Sequence, residues 1–391
     1  MVQTLIVIDN LRTGGVATSM KNFIRFASRE MDISVLVFNQ EEIDACEFPE
    51  NVHLLEPQKL LGIFGRRQNE IKSPFLALYR GALVVMARLF GGRFARRLLF
   101  PFVRKIRGNY DLAISFANDD GFHSLTKGCN DFVFRKVQAK KKITFVHCDY
   151  ENFGGYHPKQ EKEYRVFDRI VCVSQSCKES FSRCFPMLSD KTIVCENFID
   201  VKRVRRLADD DIVPFVTNMC NFVTVCRISE EKGLFRAASA FALCMKRGKT
   251  QFTWTIVGDG PERARFTSYL SELGILDKVI LVGEKKNPYP FIKGASFFLL
   301  PSFHEAAPMV FGESAALGVP IVTTRTCSAD ELVGARRIGF VTENSEEGLT
   351  VGISAILDGK TQMWQEMTEE EINQHARHQL SQLLTSLEVG E

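Results

Sequence analysis

The chain has 391 residues, of which 45% are hydrophobic and 25% charged, a composition typical of folded globular proteins and not of disordered, collagen-like or coiled-coil chains. At about 100–200 residues per domain, this length predicts two domains. The formal net charge is +3, but residues 1–198 hold 29 Lys and Arg against 22 Asp and Glu, whereas residues 199–391 hold 21 against 25. This asymmetry indicates two units with different partners.

Short apolar runs alternate with amphipathic stretches along the first half. Predicted strands cover 4–8, 33–38, 110–116, 142–147 and 169–174, and a Gly-Gly loop and a helical pattern (VATSMKNFIRFAS) follow the first. Strands that alternate with helices predict a parallel sheet. Residues 196–214 are polar and charged without clear apolar periodicity, so we expect a linker there.

The same rhythm restarts near residue 220. Predicted strands cover 221–228, 252–258, 278–283, 295–301 and 319–324. Helical patterns follow the first two, the second of them expected to open at Pro261, a favoured first helical position. The fold class is therefore α/β, with two Rossmann-like domains in series. Ligands of such sheets bind beyond the carboxyl ends of the strands, and the cleft between two domains is the natural site.

Several classes of protein are excluded by what the chain lacks. No run of about 18 or more uncharged apolar residues occurs, which excludes a membrane-spanning helix. The first apolar run precedes any basic residue, the wrong order for a signal peptide, so we expect a cytoplasmic protein. Eleven cysteines show no CxxC pair and no metal-ligand spacing, and Cys172 and Cys226 lie inside apolar runs. This pattern predicts reduced core thiols, with no disulfide and no zinc site.

Residues 79–107 hold eight basic residues and no acidic one, among many Leu, Val, Phe and Met. A cationic amphipathic segment of this kind can lie on an anionic membrane surface. A core-facing helix with a solvated basic face explains the pattern equally well. No nucleic-acid-binding motif accompanies the charge, so we expect no nucleic-acid partner.

Two motifs place glycines or cations after predicted strands. Gly14 and Gly15 open a helix, where the backbone can approach an anion closely and unpaired N–H groups face it; a tight structural turn explains them as well. Arg227 follows a strand and Lys232 lies at the start of the next helix. Two cations beside a helix N-terminus can clamp a diphosphate. The alternative is surface charge paired with Glu230 and Glu231.

Three further patterns lie at strand ends. The loop with Gly258 in IVGDGPERARF could pass under a nucleoside or be a plain connection. In LLPSFHEAAPMVFGES, Glu305 lies in the loop and Glu313 about one turn inside the helix that begins near Val310, so both can line one cavity and accept hydrogen bonds from sugar and ribose hydroxyls. His147 ends a strand beside Asp149, either as a structural histidine or as a group that faces the ligand.

These residues carry a resemblance. R-x4-K (Arg227, Lys232), VGDGPER (257–263), PS-x2-E-x7-E (301–313), LGVPIVTT and Glu331 resemble, in order and spacing, the retaining nucleotide-sugar-dependent glycosyltransferases of family 4, which have the GT-B architecture. The match covers roughly residues 220–335. The first half matches more loosely, through Gly14-Gly15, the VH at 146–147, RIVCVSQSCKESF and Asn197-x2-Asp200.

The resemblance assigns a role to each matching position. Glu305 would hold the donor sugar near its anomeric region, Glu313 the ribose hydroxyls, and Arg227 and Lys232 the diphosphate, aided by the backbone of Gly15. Residues 283–286 would frame the base, and His147 would position the donor sugar or the acceptor. The implied catalytic residues are Glu305, His147, Arg227 and Lys232. The implied donor-binding residues are Gly14, Gly15, Arg227, Lys232, Gly258, Gly283, Glu284, Glu305, Ala306, Ala307, Pro308, Met309, Val310 and Glu313, and Asp149 would contact the acceptor.

The sequence departs from the family pattern at small residues. Ala306 stands where Gly usually follows the first Glu, Ser314 where Ala follows the second, and Ser328-Ala329-Asp330 where a Gly usually precedes the position of Glu331. We therefore expect the donor sugar to differ more than the activity.

The interpretation as a whole is a GT-B glycosyltransferase, two Rossmann-like domains facing across a cleft. Residues 1–198 would bind the acceptor, 199–365 the nucleotide-sugar, and 366–391 would form a helix that packs back on the first domain. The resemblance implies a retaining, metal-independent hexosyltransferase that needs no cofactor. Its donor would be a UDP-sugar and its acceptor a glycan, lipid-linked at the inner membrane face, in capsule, O-antigen or exopolysaccharide synthesis.

Two other functions remain open at this point. One is a sugar-nucleotide epimerase of the same fold, which transfers nothing to an acceptor. The other is a non-catalytic nucleotide-sugar-binding protein that acts as a membrane adaptor. The Glu305/Glu313 pair after R-x4-K argues against both.

Overall fold

The computed structural model describes residues 1–12, 14–40, 48–66, 70–213, 215–359, 364 and 366–387. Two compact units divide the chain, Met1–Phe198 with His375–Glu391, and Ile199–Gln374. Each unit is an α/β domain with its own parallel sheet. Residues 388–391 of the predicted terminal helix, Pro214 of the predicted linker and Cys46 lie outside the described residues.

Unit 1 contains a seven-stranded sheet. Its strands are β1 Val2–Asn10, β2 Met31–Asn39, β3 His53–Leu54, β4 Ile106–Ser115, β5 Val137–Val146, β6 Arg169–Cys172 and β7 Thr192–Val194. The order is β3-β2-β1-β4-β5-β6-β7, and each neighbouring pair is parallel. The central strands are almost fully buried, which explains their near-continuous apolar runs.

Helices connect these strands and cover the sheet. They are α1 Gly15–Ala27, α2 Gly62–Gly65, α3 Pro74–Phe90, α4 Gly92–Leu99, α5 Cys129–Lys136, α6 Glu161–Tyr164 and α7 Gln175–Cys184. On α1, Phe23 packs its ring against Phe116, Phe145 and Phe198, with ring centroids 5.4–6.4 Å apart. The predicted first helix is therefore confirmed, and aromatic contacts fix its buried face.

Unit 2 contains a six-stranded sheet in the order β10-β9-β8-β11-β12-β13, again with parallel neighbours. Its strands are β8 Cys220–Val225, β9 Phe252–Val257, β10 Val279–Gly283, β11 Phe297–Leu300, β12 Ile321–Thr324 and β13 Gly339–Thr342. Its helices are α8 Val201–Ala208, α9 Leu234–Lys246, α10 Arg263–Glu272, α11 Tyr289–Lys293, α12 Met309–Ala316 and α13 Glu346–Leu357. A last helix, α14 Glu369–Ser386, contributes residues up to Gln374 to unit 2 and the rest to unit 1.

The second half of the last helix, which belongs to unit 1, contacts other residues of that unit. The Arg377 guanidinium lies over the Phe26 ring at 5.2 Å. The Gln379 side chain accepts a hydrogen bond from the Glu196 backbone N–H at 2.8 Å, and the Ser386 carbonyl accepts one from Arg169.

The expected linker is wrong in its central part. Residues 201–208 form α8, whose Val201, Val204 and Ala208 join the core of unit 2. The spacing of three and four residues places these side chains on one face, a stripe too short to stand out among the charges. The Asp200 side chain caps the helix by accepting a hydrogen bond from the Arg203 N–H at 3.0 Å.

Two other expectations receive a clear outcome. All ten predicted strands coincide with strands of the structure, whereas β3, β7 and β13 had no prediction. Pro261 lies in a turn, and α10 begins two residues later, at Arg263. Hydrogen bonds from the Glu262 N–H to Ile228 O and from the Arg263 N–H to Gly260 O close that turn, so the proline precedes the helix.

The described part of the chain contains no helix long and apolar enough to cross a membrane. Its ten cysteines form no disulfide.

Candidate functional site

The predicted donor motifs lie at one edge of the unit 2 sheet. Strands β8 and β11 are parallel neighbours, so the loops that follow them leave the same edge. The loop after β8 carries Arg227 and Lys232, and the loop after β11 carries Glu305. A backbone hydrogen bond from the Phe303 N–H to the Glu231 carbonyl, 3.0 Å long, joins the two loops.

Lys232 and Glu305 form an ion pair. Lys232 Nζ donates to Glu305 Oε1 at 2.7 Å, and the Ser302 hydroxyl donates to the same oxygen at 2.7 Å. Burial disfavours the charged lysine, but Glu305 outweighs it and raises the pKa of Lys232. The structure therefore brings together two of the residues predicted from separate motifs.

Arg227 forms a second, separate ion pair. Its Nη2 lies 2.8 Å from Glu231 Oε1, and the Ser229 hydroxyl donates to the same oxygen at 2.6 Å. Burial raises the pKa of Glu231, but the hydrogen bonds from Ser229 and Arg227 outweigh burial and lower it to about 2. The Arg227 side chain is 61% exposed. This is the pairing with Glu231 that the sequence left as an alternative, and it keeps an exposed guanidinium beside the Lys232 loop.

Side chains from neighbouring elements of unit 2 donate hydrogen bonds to the loop that carries Glu305. Arg236, on α9, donates to the carbonyls of Pro301 and Ser302 at 2.7 Å, and its guanidinium lies 3.9 Å from the Phe303 ring centroid. The Thr324 hydroxyl donates to the Ser302 carbonyl at 2.5 Å. Because its carbonyls are bonded in this way, the loop is fixed before any ligand binds, a requirement for electrostatic catalysis.

Two more contacts extend this arrangement to the end of the loop. Asn344 Nδ2 donates to the Phe303 carbonyl at 2.9 Å, and Cys327 Sγ lies 3.1 Å from the Glu305 carbonyl oxygen. Sequence reasoning missed Arg236, although an arginine among the apolar residues of RAASAFALC is a signal for a buried, hydrogen-bonded cation. Burial alone lowers the pKa of Arg236 to about 10.

Glu313 lies in the first turns of α12 and is buried. The Tyr289 hydroxyl, on α11, donates to Glu313 Oε1 at 3.0 Å. Burial raises the pKa of Glu313 to about 7, while the tyrosine hydrogen bond and Arg203 act in the opposite direction. Glu305 and Glu313 thus have different partners, and sequence reasoning missed Tyr289 because the hydrogen bond joins two helices.

The residues between the two glutamates lead into α12. Ala306 and Met309 are buried, whereas Ala307, Pro308 and Val310 are half-buried. Pro308 stands at the N-cap without a side-chain hydrogen bond to the helix. The predicted donor-binding run therefore forms the approach to a helix start whose first N–H groups are available to an anion.

Gly258 and Gly283 meet through the backbone. The Gly258 N–H donates to the Gly283 carbonyl at 2.9 Å. Gly258 has φ +146°, and a Cβ there would lie 1.9 Å from the Cys226 carbonyl oxygen, so only glycine fits. Glu284 follows on the surface with an exposed side chain. Gly258 is thus required by the fold, and its predicted ligand contact stays a prediction.

In unit 1, Gly14 and Gly15 are exposed at the start of α1, and Gly14 is the N-cap. A Cβ at Gly14 would meet only the Arg12 carbonyl oxygen, at 3.9 Å, and its φ of 162° is extended. The fold therefore does not require glycine at position 14, in contrast to the tight-turn alternative.

His147 is held at the end of β5. Its Nε2 lies 3.0 Å from the Phe116 carbonyl oxygen, which can only accept, so Nε2 carries the proton and Nδ1 is an acceptor. Burial and, to a smaller extent, Lys127 lower the pKa of His147 to about 3. The imidazole is therefore neutral at physiological pH and can position a hydroxyl but cannot supply a positive charge.

Asp149 is tied to its own unit. Ser180 on α7 donates to Oδ1 and Asn152 donates to Oδ2, both at 2.7 Å. Both carboxylate oxygens thus have protein donors, and the side chain is buried. These contacts support a structural role, and the acceptor contact stays a prediction.

The described residues contain no group of three or more His, Cys, Asp or Glu side chains that could hold a metal ion.

A known protein family matches most of the second unit. The family described as glycosyl transferases group 1 matches residues 211–378, which include the Lys232–Glu305 pair and both glutamates. These residues are therefore similar to the glycosyl transferases group 1 family. The match covers nearly all of unit 2, and the predicted recognition is confirmed at this level.

Curated relatives match part of the chain. An uncharacterized glycosyltransferase of Methanocaldococcus jannaschii is 24% identical over 165 residues, 41% of this chain and 40% of that protein. An N-acetylgalactosaminyltransferase of Campylobacter jejuni, named for a diphospho-undecaprenol substrate, is 26% identical over 200 residues, 50% of this chain and 52% of its own. The lipopolysaccharide core glycosyltransferase LpsE of Rhizobium meliloti is 29% identical over 44% of this chain and 48% of its own. The chain thus spans about half the length of these relatives.

Solved structures match the whole chain and show the fold. Anabaena HepE, in complex with UDP and glucose, has a TM-score of 0.65 at 16% identity and covers 99% of this chain and 100% of its own. Sucrose-phosphate synthase from Thermosynechococcus elongatus has a TM-score of 0.66 at 14% identity and covers 99% of both chains. The predicted fold class, α/β with the GT-B architecture, is therefore confirmed. The facing of the two domains across a cleft stays a prediction.

Proposed function

We propose that this protein is a retaining glycosyltransferase that moves a hexose from a UDP-sugar to a lipid-linked glycan acceptor in surface-polysaccharide synthesis. The observation that carries the proposal is the Lys232–Glu305 pair, 2.7 Å long, inside the group 1 domain. The names of the relatives support the rest, because one Campylobacter enzyme is named for a diphospho-undecaprenol substrate and HepE was solved with UDP and glucose.

The pair would bind the donor without being broken. The Lys232 ammonium has three N–H donors, of which Glu305 takes one, so the others remain for a phosphate oxygen. The exposed guanidinium of Arg227 would be a second donor, and the start of α12 supplies backbone N–H groups. Glu305 would accept hydrogen bonds from the donor sugar, and its loop is already fixed by Arg236.

The ribose would bind at Glu313. Tyr289 donates to Oε1, which leaves Oε2 to accept a hydrogen bond from a ribose hydroxyl. The run Ala306–Val310 would line the path of the diphosphate, and residues 283–286 would frame the uracil. Gly14 and Gly15 at the start of α1 would contribute backbone donors to the same diphosphate.

In the proposed reaction, the acceptor hydroxyl forms the new bond to the anomeric carbon as the bond from that carbon to the diphosphate oxygen breaks. The hydroxyl proton passes to the leaving diphosphate on the same face, which retains the configuration and needs no covalent nucleophile. Lys232 and Arg227 would stabilise the growing negative charge on UDP, so no metal or other cofactor is required. Neutral His147 would position the sugar or the acceptor.

Two other functions become outcomes of the test. An epimerase would convert the UDP-sugar with no acceptor and release no UDP, and an adaptor would bind it unchanged. We propose a cytoplasmic location at the inner membrane face, where a lipid-linked acceptor is available.

The first experiment measures thermal shifts of the full chain with UDP, GDP, ADP and their sugar conjugates in the presence of EDTA, since ligand binding to the folded state raises the melting temperature. Lys232→Ala should abolish the shift. Lys249→Ala is the matched control, because Lys249 also pairs with a carboxylate, Asp358, at 2.5 Å, but in another part of unit 2. Equal shifts in both variants, or no shift with any nucleotide, would contradict the proposed donor site.

Transfer itself is then followed as UDP release with and without a polyprenyl-diphosphate-linked glycan. Acceptor-dependent release, with the anomeric configuration of the product read by NMR, supports a retaining transferase. Conversion of the donor alone would indicate the epimerase, and an inverted product would exclude the retaining mechanism.

A further inference from the structure

Helix α3 has its apolar stripe on the outside. The helix begins after Ser73, whose hydroxyl caps it, and ends at Gly91. Its residues at intervals of three and four, which share one face of a helix, are exposed and apolar: Phe75, Leu78, Ala82, Val85 and Leu89. The opposite face, with Leu83 and Ala87, is buried. A helix that packs on a protein core normally exposes polar side chains on its outer face, whereas α3 is apolar on both faces.

Helix α4 and the turn after it continue the exposed stripe. Phe94, Leu98 and Phe102 follow at intervals of four residues, and all three are exposed. The rings of Phe90 and Phe94 lie 5.4 Å apart, so the stripes of the two helices meet at the corner between them. Soluble proteins rarely expose a continuous apolar surface of this kind unless it binds something.

Buried arginines fix the inner faces of both helices. Arg80 donates from Nε to the Ile63 carbonyl at 3.2 Å. Arg96 donates to Asp119 at 2.7 Å and Asp131 at 2.8 Å, with 2% of its side chain exposed. Rotating either helix to bury the apolar stripe would break these bonds and leave charges buried without partners. The outward orientation is therefore built into the fold.

This finding changes both interpretations of segment 79–107. The alternative of a core-facing helix with a solvated basic face holds only in part, because most of the basic residues are exposed but Arg80 and Arg96 are buried and large apolar side chains lie outside. The surface also begins earlier, at Phe75. Residues 71–110 contain no acidic residue, and five basic residues of segment 79–107 are exposed: Arg88, Arg97, Arg104, Lys105 and Arg107.

We infer that this outer surface of α3 and α4, here called the docking surface, binds an anionic lipid bilayer. The docking surface comprises Phe75, Leu78, Val85, Leu89, Phe90, Phe94, Leu98 and Phe102 with the five exposed basic residues. The apolar side chains enter the boundary between headgroups and acyl chains, and the basic side chains contact the anionic headgroups. The combination selects a bilayer, because a protein partner has no uniform negative layer over an apolar interior.

The inference gives the proposed glycosyltransferase a partner but is tested without activity. The full chain is mixed with vesicles of phosphatidylcholine alone or with phosphatidylglycerol, and the bound fraction is measured by flotation. Salt of about 0.1 M and about 1 M is compared, since the Debye length falls from about 10 Å to about 3 Å. Binding should need phosphatidylglycerol and should weaken at high salt. Part of the binding should persist at high salt, because salt does not screen the insertion of apolar side chains.

Two exposed side chains are then replaced. Leu89→Ser with Phe102→Ser should lower the partition coefficient into anionic vesicles at least about tenfold, while the melting temperature stays close to that of the unaltered chain. Ile212→Ser with Val351→Ser is the matched control, since both residues are exposed apolar side chains of unit 2, and it should bind as before. Arg97→Glu with Arg104→Glu should reduce the salt-sensitive part of the binding.

Three results would overturn the inference. They are equal partition of the unaltered chain into neutral and anionic vesicles, no vesicle binding at all, or unchanged binding after Leu89→Ser with Phe102→Ser. The surface would instead bind a second copy of the chain if the unaltered chain did not bind vesicles and formed a concentration-dependent dimer, and if the double variant were monomeric. None of these readouts depends on donor binding. A failure to bind vesicles would therefore not contradict the proposed transfer reaction, and a failure of transfer would not contradict vesicle binding.

Discussion

Lys232 Nζ and Glu305 Oε1 lie 2.7 Å apart although their residues are 73 positions apart in the chain. Both side chains are mostly buried, 25% and 13% exposed, so the pair should be more strongly coupled than a surface pair. A double-mutant cycle of Lys232→Met and Glu305→Gln, followed by urea unfolding, should give a coupling free energy of about 1–3 kcal/mol. Each substitution should therefore lower the free energy of unfolding more in the unaltered chain than in the chain that already carries the other substitution.

The control cycle uses Arg263 and Asp259, which lie 3.4 Å apart with half-exposed side chains. Their coupling should be below about 0.5 kcal/mol, the usual range for exposed pairs. If both cycles gave the same small value, Lys232 and Glu305 would not form a persistent pair in solution.

Glu313 should make stability depend on pH. Burial raises its pKa from the ordinary value of 4.5 to about 7 in the folded chain. As pH rises from 4.5 to 7, the unfolded chain ionises this carboxyl while the folded chain does not, so the folded state loses up to about 3 kcal/mol. The contribution is fully present below pH 4.5 and fully lost above pH 7. Glu313→Gln should therefore gain stability relative to the unaltered chain between these limits.

The measurement is the free energy of unfolding in urea at pH 5 and pH 8 for both chains. Other titrating groups affect both chains alike, so the difference between them isolates Glu313. Tyr289→Phe removes a hydrogen bond that lowers the pKa of Glu313, and should shift the transition to higher pH. A pH-independent difference between the unaltered chain and Glu313→Gln would show that the carboxyl is ionised throughout.

The strands show what local sequence can predict. All ten predicted strands form, because each prediction rests on a run of five to eight residues rich in apolar side chains, a pattern that is local in the sequence. Strands β3 and β7 have only two and three residues, too short for such a run, and β13 had no prediction. Helix α8 was expected to be a linker because only Val201, Val204 and Ala208 of its residues are buried, and charges surround them.

The site shows the same limit at longer range. Spacing and a family resemblance predicted Lys232, Glu305 and Glu313, because these residues belong to local motifs. Arg236 and Tyr289 act on residues 65 and 24 positions away, so no motif contains both partners. The exposed apolar face of α3 could not be predicted either, since the sequence pattern of a helix does not tell which face the core covers.

Arg236 should position the loop of Glu305. Arg236→Met removes donors to the carbonyls of Pro301 and Ser302 and leaves them buried, which should cost about 2–4 kcal/mol of unfolding free energy. Arg236→Lys retains the charge but cannot place two N–H groups on adjacent carbonyls, and should recover less than half of that loss.

The matched control is Arg265→Met. Arg265 also lies over an aromatic ring, that of Phe235 at 4.9 Å, but its side chain is 72% exposed, so its loss should cost below about 1 kcal/mol. Hydrogen exchange of the amides of residues 302–305 should quicken in Arg236→Met and not in Arg265→Met. Equal exchange in the two variants would remove Arg236 from any positioning role.

Alanine at two glycines separates what the fold requires from what a ligand would require. Gly258→Ala places a Cβ 1.9 Å from the Cys226 carbonyl oxygen at φ +146°, and should cost more than about 3 kcal/mol or prevent folding, because backbone must move. Gly248→Ala also has positive φ, +80°, but nothing within 4 Å of its Cβ, and should cost only about 1–2 kcal/mol.

At Gly14, where φ is extended and a Cβ fits, alanine should leave the melting temperature unchanged. Under the proposed function it should weaken UDP-sugar binding, since the methyl group would stand where the diphosphate approaches α1. If Gly14→Ala bound UDP-sugar as well as the unaltered chain does, α1 would have no part in the donor site. Loss of folding in Gly248→Ala would show that the positive φ alone accounts for the cost at Gly258.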